Sequence, residues 1–322
     1  MTSAERKLWL EVQRRVSAHT PRMNRAILEA FKALAAQMTD AEILRALANP
    51  DTFAETVMSD ARFSRAFLGV RSEIHREVRE SVLWFVPKLP GGGAVNGAVA
   101  VGFNILDPAV VEAIRKLDSR VMVTLRSDVR EAVRIFVTQG IDSGRSSASI
   151  ARQVRAVVGL APNQLRAVEN FRAALAGGDF SKALGYKLRD RRFDRTLRRL
   201  ASADGTLSAD QVQKMTAAYR RKFIAWNANT NARTAVNDAQ RLGKHLATQE
   251  AINAGILDGH RMRSRWVDSD DSRVRPLHEE ADGEVVRFGQ PFPTTGEVIP
   301  GESTFNCRCI KVDFLAPREA VA

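Results

Sequence analysis

The stretch DPAVVEAIRKLDSRVMVTLRSDVREAVRIFVTQG, residues 107–140, decides the fold class of this chain. Its apolar side chains return every three or four positions, which is the spacing of one helix face. Asp107 suits the N-cap, Pro108 the first helical position, and Gly140 the end of the helix. At a rise of 1.5 Å per residue this helix is about 50 Å long. The stretch therefore predicts a long amphipathic rod that packs against its neighbours.

Helical spacing continues on the C-terminal side of this rod. One helix starts near Ser147 and a second starts at Pro162, joined by a turn at Gly159. The pair resembles a helix-turn-helix, but we expect a plain helical hairpin, because DNA reading needs a second helix with several base-reading side chains and usually a dimer. A further long helix opens at the capping box of Ser208 and Gln211. We expect it to run to about residue 255, with a break at residues 227–231.

The N-terminal region, residues 1–88, also has helical periodicity, and we expect short helices there because prolines punctuate it. These prolines are Pro21, Pro50 and Pro87. A Gly-rich linker or arm at residues 89–104 follows. It lacks the Gly-Lys-Ser/Thr ending of a phosphate-binding loop, which makes a nucleotide site a weak hypothesis.

The composition changes after residue 256, where short β-like runs alternate with Gly, Pro, Asp and Thr. The predicted fold class is therefore mainly α, with an elongated multi-helix body and a small, loop-rich α+β domain at the C-terminus. The predicted segments are an N-terminal helical region at 1–88, the linker at 89–104, a basic helical body at 105–256, and the C-terminal module at 257–322.

The charge of the chain is concentrated in its centre. The net charge is +12 over 322 residues, and residues 145–245 alone hold 20 Lys and Arg against 7 Asp and Glu. Such a field suits a phosphate backbone or an acidic protein surface.

The N-terminus lacks the pattern of a signal peptide, and no apolar run approaches the ~20 residues that span a bilayer. Two cysteines cannot form a disulfide framework. We therefore expect assembly in the cytosol and no membrane partner.

The segment KLRDRRFDRTLRR, residues 187–199, is the peak of the basic excess. A helix face this rich in arginine predicts contact with double-stranded DNA that does not depend on sequence. The alternative is that Asp190 and Asp194 pair with neighbouring arginines and the helix only faces water. The candidate DNA-binding residues are Arg189, Arg191, Arg192, Arg195, Arg198 and Arg199.

The densest set of reactive side chains lies between residues 265 and 310, and three hypotheses compete for it. His278, Cys307 and Cys309 could hold a structural zinc ion, because two cysteines at i and i+2 on one strand aim both thiols at one point. His278 with Arg273 could instead serve a metal-independent nuclease as acid/base and phosphate ligand. The third hypothesis is structural, in which Asp and Arg side chains pin the loops and no cofactor is bound.

This segment resembles the phage head-morphogenesis family, the Mu F-like minor head proteins. The family pattern is Trp, Asp, Arg-x-Arg-x-x-His, Asp-Gly, Pro-Gly and a final Asn-Cys-Arg-Cys. The chain supplies it, in order, with Trp266, Asp271, Arg273, Arg275, His278, Asp282, Gly283, Pro300, Gly301, Asn306, Cys307, Arg308 and Cys309. Weaker similarity covers Gly144–Ala151 and Gly159–Gln164. The family's Ala-Arg-Thr-Glu reads Ala232-Arg233-Thr234-Ala235 here, so its acidic residue is missing.

The resemblance implies a virion component with a structural role. Such proteins are made in the bacterial host cytoplasm, lie in the head interior or at the portal vertex, and associate with the portal protein, the major capsid protein or both. They aid head assembly, DNA packaging or genome delivery as part of a multi-chain assembly. The sequence holds no complete catalytic set, so we expect no enzyme. The alternative remains a nuclease or effector domain carried in the virion.

Overall fold

The computed structural model describes residues 1–90, 104–203 and 205–317. The described part of the chain is 68% helical and has a small three-stranded antiparallel sheet near the C-terminus. The predicted fold class, mainly α with a small α+β C-terminal part, is therefore confirmed. Most of the predicted linker, residues 91–103, lies outside the described residues.

The described helices and strands follow one another in chain order. The helices are α1 (Ser3–Ala36), α2 (Asp40–Ala46), α3 (Phe53–Val57), α4 (Asp60–Ala66), α5 (Leu68–Phe85), α6 (Pro108–Asp142), α7 (Ser147–Val154), α8 (Pro162–Ala176), α9 (Phe180–Gly185), α10 (Asp194–Ser202), α11 (Ala209–Asn253) and α12 (Pro276–Glu280). Short 3-10 turns lie at Pro50–Thr52, Val86–Lys88, Arg155–Val157 and Arg191–Phe193. The strands are β1 (Met262–Val267), β2 (Val285–Arg287) and β3 (Ile310–Leu315).

Helix α1 runs through Pro21, which the sequence predicted to be an interruption. Proline in a helix interior costs about 3 kcal/mol, because it lacks an N–H group and crowds the preceding turn. Val16 and Met23, on either side of Pro21, are both buried. Burial of each such side chain is worth about 1.5–3 kcal/mol, so one continuous apolar stripe outweighs the proline.

The two longest helices begin where the sequence predicted. Asp107 Oδ1 accepts a hydrogen bond from the Ala109 N–H at 2.8 Å, and α6 ends two residues beyond Gly140. At the start of α11, the Ser208 N–H donates to Gln211 Oε1 at 2.9 Å.

The predicted break at residues 227–231 is wrong, because α11 continues unbroken to Asn253. Asparagine disrupts a helix when its side chain bonds to nearby backbone. Asn227 instead donates to the carbonyl of Gly159 at 2.9 Å and accepts from Gln164 Nε2 at 3.2 Å. Its side chain is therefore satisfied outside the helix, and the backbone of α11 keeps its own bonds.

The sheet has the order β2-β1-β3, and both pairs are antiparallel. Ser264 of β1 lies opposite Val286 of β2 and Asp313 of β3. The small core beside the sheet consists of Trp266, Ala281, Phe292, Cys307 and Cys309, with Val286 packed against it.

The chain divides into two compact units. Unit 1 comprises residues 1–24, 70–121 and 230–322, and unit 2 comprises residues 25–69 and 122–229. The C-terminal segment with the Asn-Cys-Arg-Cys sequence belongs to unit 1, and the arginine-rich helix α10 belongs to unit 2. Whether the four segments predicted from the sequence fold separately stays a prediction. Among the described helices, none is long and apolar enough to span a bilayer.

Candidate functional site

Helices α1 and α11 hold the backbone of the Asn-Cys-Arg-Cys segment, residues 306–309. The Cys307 carbonyl accepts bonds from Asn237 Nδ2 at 2.7 Å and from Arg241 Nη2 at 2.6 Å. The Cys309 carbonyl accepts from Arg241 Nε at 2.9 Å, and Trp9 Nε1 donates to the Arg308 carbonyl at 3.0 Å. Three consecutive carbonyls are thus fixed by side chains that lie far away in sequence.

Arg241 is part of a buried charge cluster. Its side chain is 4% exposed, and its Nη1 donates to Asp238 Oδ1 at 3.0 Å. Asp238 also accepts from Arg120 Nη2 at 2.8 Å. Burial raises the pKa of Asp238 to about 6, and the positive charges of Arg241 and Arg120 oppose that rise. This cluster therefore contains a carboxylate that titrates unusually close to neutral pH.

Sequence reasoning missed Asn237, Asp238 and Arg241. The sequence predicted a long helix in this region and assigned no role to its polar residues. The available signal was the spacing of these polar residues, at i, i+1 and i+4 inside an alanine-rich helix. This spacing places Asn237 and Arg241 on the same face of the helix. Polar side chains at such a position predict buried partners.

The structure brings together His278, Cys307 and Cys309, the three residues of the zinc hypothesis. His278 Nδ1 lies 3.5 Å from Cys307 Sγ and 3.4 Å from Cys309 Sγ. All three residues are buried, and the other ring nitrogen of His278, Nε2, lies 3.5 Å from Thr304 Oγ1. The Trp266 ring packs edge-on against the imidazole, with the ring centres 5.2 Å apart. The three donor atoms therefore face one small volume.

The two thiols of this cluster are not equivalent. The Cys307 sulfur accepts hydrogen bonds from Cys309, and together with the positive charge of Arg241 these hold the pKa of Cys307 well below that of a free thiol. The same interaction with Cys307, together with burial, raises the pKa of Cys309.

Asp271 and Arg308 form the main ion pair of the loop that precedes α12. Arg308 donates through both terminal nitrogens to both oxygens of Asp271, and Nη2 lies 2.6 Å from Oδ1. These hydrogen bonds hold the pKa of Asp271 well below its ordinary value. Arg273 also donates to Asp271 at 3.3 Å, but its side chain is 75% exposed.

The remaining motif residues fix turns. Arg275 donates to the Phe305 carbonyl at 2.7 Å, and Asp282 Oδ1 accepts the Asp268 N–H at 2.9 Å. Gly283 has φ 85° and Asn306 has φ 56°, in the left-handed region that glycine and asparagine tolerate best. These contacts favour the structural hypothesis for this part of the motif.

The geometry gives no support to a nuclease that uses His278 and Arg273. A general acid or base must reach the proton that it transfers. His278 is 2% exposed and its Nδ1 faces two sulfurs, whereas Arg273 lies on the surface and pairs with Asp271.

A second buried polar network lies on the inward face of β3. Asp313 accepts bonds from Ser264 Oγ at 2.7 Å and from Thr248 Oγ1 at 3.1 Å. Lys311 Nζ lies 2.8 Å from His245 Nδ1, and burial lowers the pKa of Lys311 to about 8 and that of His245 to about 3. Lys311 and Asp313 lie two residues apart on β3, and both are buried.

The candidate DNA-binding arginines divide into two classes. Arg189 and Arg192 pair with Asp194 and Asp190 at 2.9 and 2.6 Å, as the alternative to DNA binding predicted. Asp194 and Leu197 of α10 are buried. The others, Arg191, Arg195, Arg198 and Arg199, are exposed, and within the described residues the closest ion pair any of them makes is the 3.9 Å contact of Arg198 with Asp194.

Comparison with known families agrees with the motif. The family model for Phage Mu protein F like protein matches residues 131–312, which is more than half of the chain. Neither a curated protein nor a solved structure matches the chain significantly. The chain therefore belongs to the Phage Mu F-like family, and it is a structural protein related to the phage head, part of a multi-chain assembly in the virion.

Proposed function

We propose that this chain is a minor head protein that docks on the portal protein or the major capsid protein and contacts the packaged double-stranded DNA through α10. In this role it assists head assembly, DNA packaging or genome delivery. Family membership supports the location in the head. The observation that carries the DNA contact is the exposed arginine face of unit 2, in which Arg191, Arg195 and Arg199 form no salt bridge with a described residue.

The arrangement of α10 suits a phosphate backbone. Arg195 and Arg199 are one helical turn apart and lie on the same face, while Asp194 and Leu197 anchor the opposite face. Arginines without an acidic partner can neutralise phosphates without first breaking an ion pair. Contact with the phosphate backbone needs positive charge and carries no sequence information, so it requires no helix that reads a DNA groove.

DNA binding by the purified full chain tests this proposal. Each phosphate contact contributes about −0.9 to the slope of log K against log salt concentration. The variant R191Q/R195Q/R199Q should therefore bind more weakly and lower the magnitude of the slope by about 2 to 3. Duplexes of unrelated sequence should bind wild type equally.

A matched control removes the same net charge from paired arginines. Arg76, Arg115 and Arg134 are exposed and each pairs with a glutamate three residues earlier in its helix. R76Q/R115Q/R134Q should change the slope by less than 1. Equal effects of both triple variants would show that net charge alone matters, and a strong sequence preference would contradict backbone recognition.

The assembly role is tested on particles. Particles made without this protein should yield fewer DNA-filled, infectious heads, and crosslinking in intact heads should join the chain to the portal or the major capsid protein. Normal yield, DNA content and infectivity of particles that lack the protein would contradict the role.

A further inference from the structure

We propose that His278, Cys307 and Cys309 bind one structural zinc ion through Nδ1 and the two Sγ atoms. The inference goes beyond the proposed head function and does not depend on it. It rests on the placement of three donor atoms, on the hydrogen bonding of the histidine ring, and on the small size of the core that surrounds them.

The donor separations match a tetrahedral zinc shell. Zinc binds histidine nitrogen at about 2.0–2.1 Å and thiolate sulfur at about 2.3 Å, so tetrahedral angles put nitrogen and sulfur about 3.6 Å apart. The observed distances from His278 Nδ1 are 3.5 Å to Cys307 Sγ and 3.4 Å to Cys309 Sγ. All three donor atoms lie within 4.8 Å of one another. Both nitrogen–sulfur distances therefore already fit an enclosed zinc ion.

The histidine is oriented as a metal ligand. Its Nδ1 faces two sulfurs at once, although one ring nitrogen carries at most one proton to donate. A metal ion satisfies both sulfurs and Nδ1 together. The other ring nitrogen, Nε2, lies 3.5 Å from Thr304 Oγ1, and a partner of this kind fixes the tautomer and the ring plane of a metal-bound histidine.

Charge and burial also fit zinc. Two thiolates and a neutral imidazole around Zn²⁺ have no net charge, which suits three residues that are each at most 3% exposed. Soft sulfur with imidazole selects zinc over magnesium or calcium, which prefer oxygen. Three protein ligands leave the fourth position to a water molecule or another small ligand.

The apolar cluster that surrounds the three donors is small, although it lies within the larger unit 1. It comprises five buried residues, two of which are Cys307 and Cys309, and the neighbouring strand β2 has only three residues. The free energy of metal binding would add to the stability of this part of unit 1.

Metal analysis of the full chain tests the proposal. Protein purified without chelators should contain close to one zinc per chain. Metal-free protein, reduced anaerobically, should take up one equivalent of Co²⁺ and develop thiolate-to-cobalt charge-transfer absorption with the visible bands of a tetrahedral ion. The chain has two cysteines, so this signal can come from no other thiol.

Variants separate binding from folding. H278Q and C309S should each lose the tetrahedral cobalt spectrum, while the control H260Q, which changes an exposed histidine of the same segment, should keep it. The cobalt titration of the wild-type protein needs no variant, so it tests metal binding even if C309S does not fold. Folded, reduced wild-type protein that shows neither zinc nor the charge-transfer band would overturn the proposal, and so would an unchanged cobalt spectrum in H278Q. DNA binding by α10 would be unaffected by either result.

Discussion

Replacing Arg241 by methionine should loosen the Asn-Cys-Arg-Cys segment more than any other single change in α11. Methionine has a similar length and fills the same space, so the change removes hydrogen bonds without opening a large cavity. It deletes the bonds to the carbonyls of Cys307 and Cys309 and the pair with Asp238. The Cys309 carbonyl then has no donor among the hydrogen bonds of the described residues.

The contacts that remain set the size of the effect. Removing one partner of a buried ion pair costs about 3–5 kcal/mol, and a hydrogen bond from a charged donor contributes about 1.5–3 kcal/mol. Asp238 keeps Arg120, and the Cys307 carbonyl keeps Asn237. We therefore expect the lower end of the range, about 3 kcal/mol, for Arg241→Met. Arg241→Lys should lose about 2 kcal/mol, because lysine keeps the charge but cannot donate to both carbonyls.

Hydrogen exchange in the full chain measures this loss locally. A decrease of about 3 kcal/mol in the opening free energy makes exchange about a hundredfold faster in peptides that cover residues 305–315. The control Arg115→Met removes an arginine that is 66% exposed and pairs with Glu112, so it should change stability by at most about 0.5 kcal/mol. Exchange within tenfold of wild type for Arg241→Met would refute the reasoning.

Two further predictions concern stability, both measured by urea unfolding followed by circular dichroism. Gly243→Ala should destabilise the protein by about 1–3 kcal/mol, because its new Cβ would lie 2.5 Å from Ser81 Cβ. The control Gly69→Ala meets no atom within 4 Å and should stabilise the protein by up to about 1 kcal/mol. Equal effects of the two substitutions would contradict this packing argument. The pKa of Asp238 is about 6 in the native state, against an ordinary value of 3.8. Between these two pH values the native state holds a proton that the unfolded chain has released. The free energy of unfolding therefore declines as pH rises from 3.8 to about 6. Wild type should therefore lose stability relative to Asp238→Asn by about 2 kcal/mol between pH 4 and pH 7, and a relative gain would disprove the pKa assignment.

Helical periodicity predicted much of the fold because it reports directly on which side chains are buried. Both ends of α6 and the start of α11 were predicted within two residues, since a capping side chain and an apolar stripe are local signals. Pro21 and Asn227, in contrast, led to wrong predictions of a helix interruption. Each is a local signal for interruption, and each is overruled by a contact or a burial that depends on tertiary structure.

The sequence predicted the residues of the candidate site, but not the distant side chains that hold the backbone of residues 307–309. The motif contains His278, Cys307 and Cys309, and the structure brings them together as one cluster. Arg241 lies 66 residues from Cys307 and Trp9 lies 299 residues from Arg308, so no pattern within the motif could identify them. The partners of a backbone carbonyl leave no trace in the sequence around that carbonyl.

Polar and charged side chains of α11 explain why the C-terminal segment carries charged residues at buried positions. Lys311 and Asp313 point away from solvent on β3, and three of their partners, Lys244, His245 and Thr248, lie on α11. A fragment that began at residue 257 would bury Asp313 with fewer of its partners and would leave the carbonyls of residues 307 and 309 without Arg241. Unpaired buried polar groups are expensive, so the sequence of the module is matched to the helix that precedes it. Within unit 1, α11 is therefore as much a part of this site as the Asn-Cys-Arg-Cys segment itself.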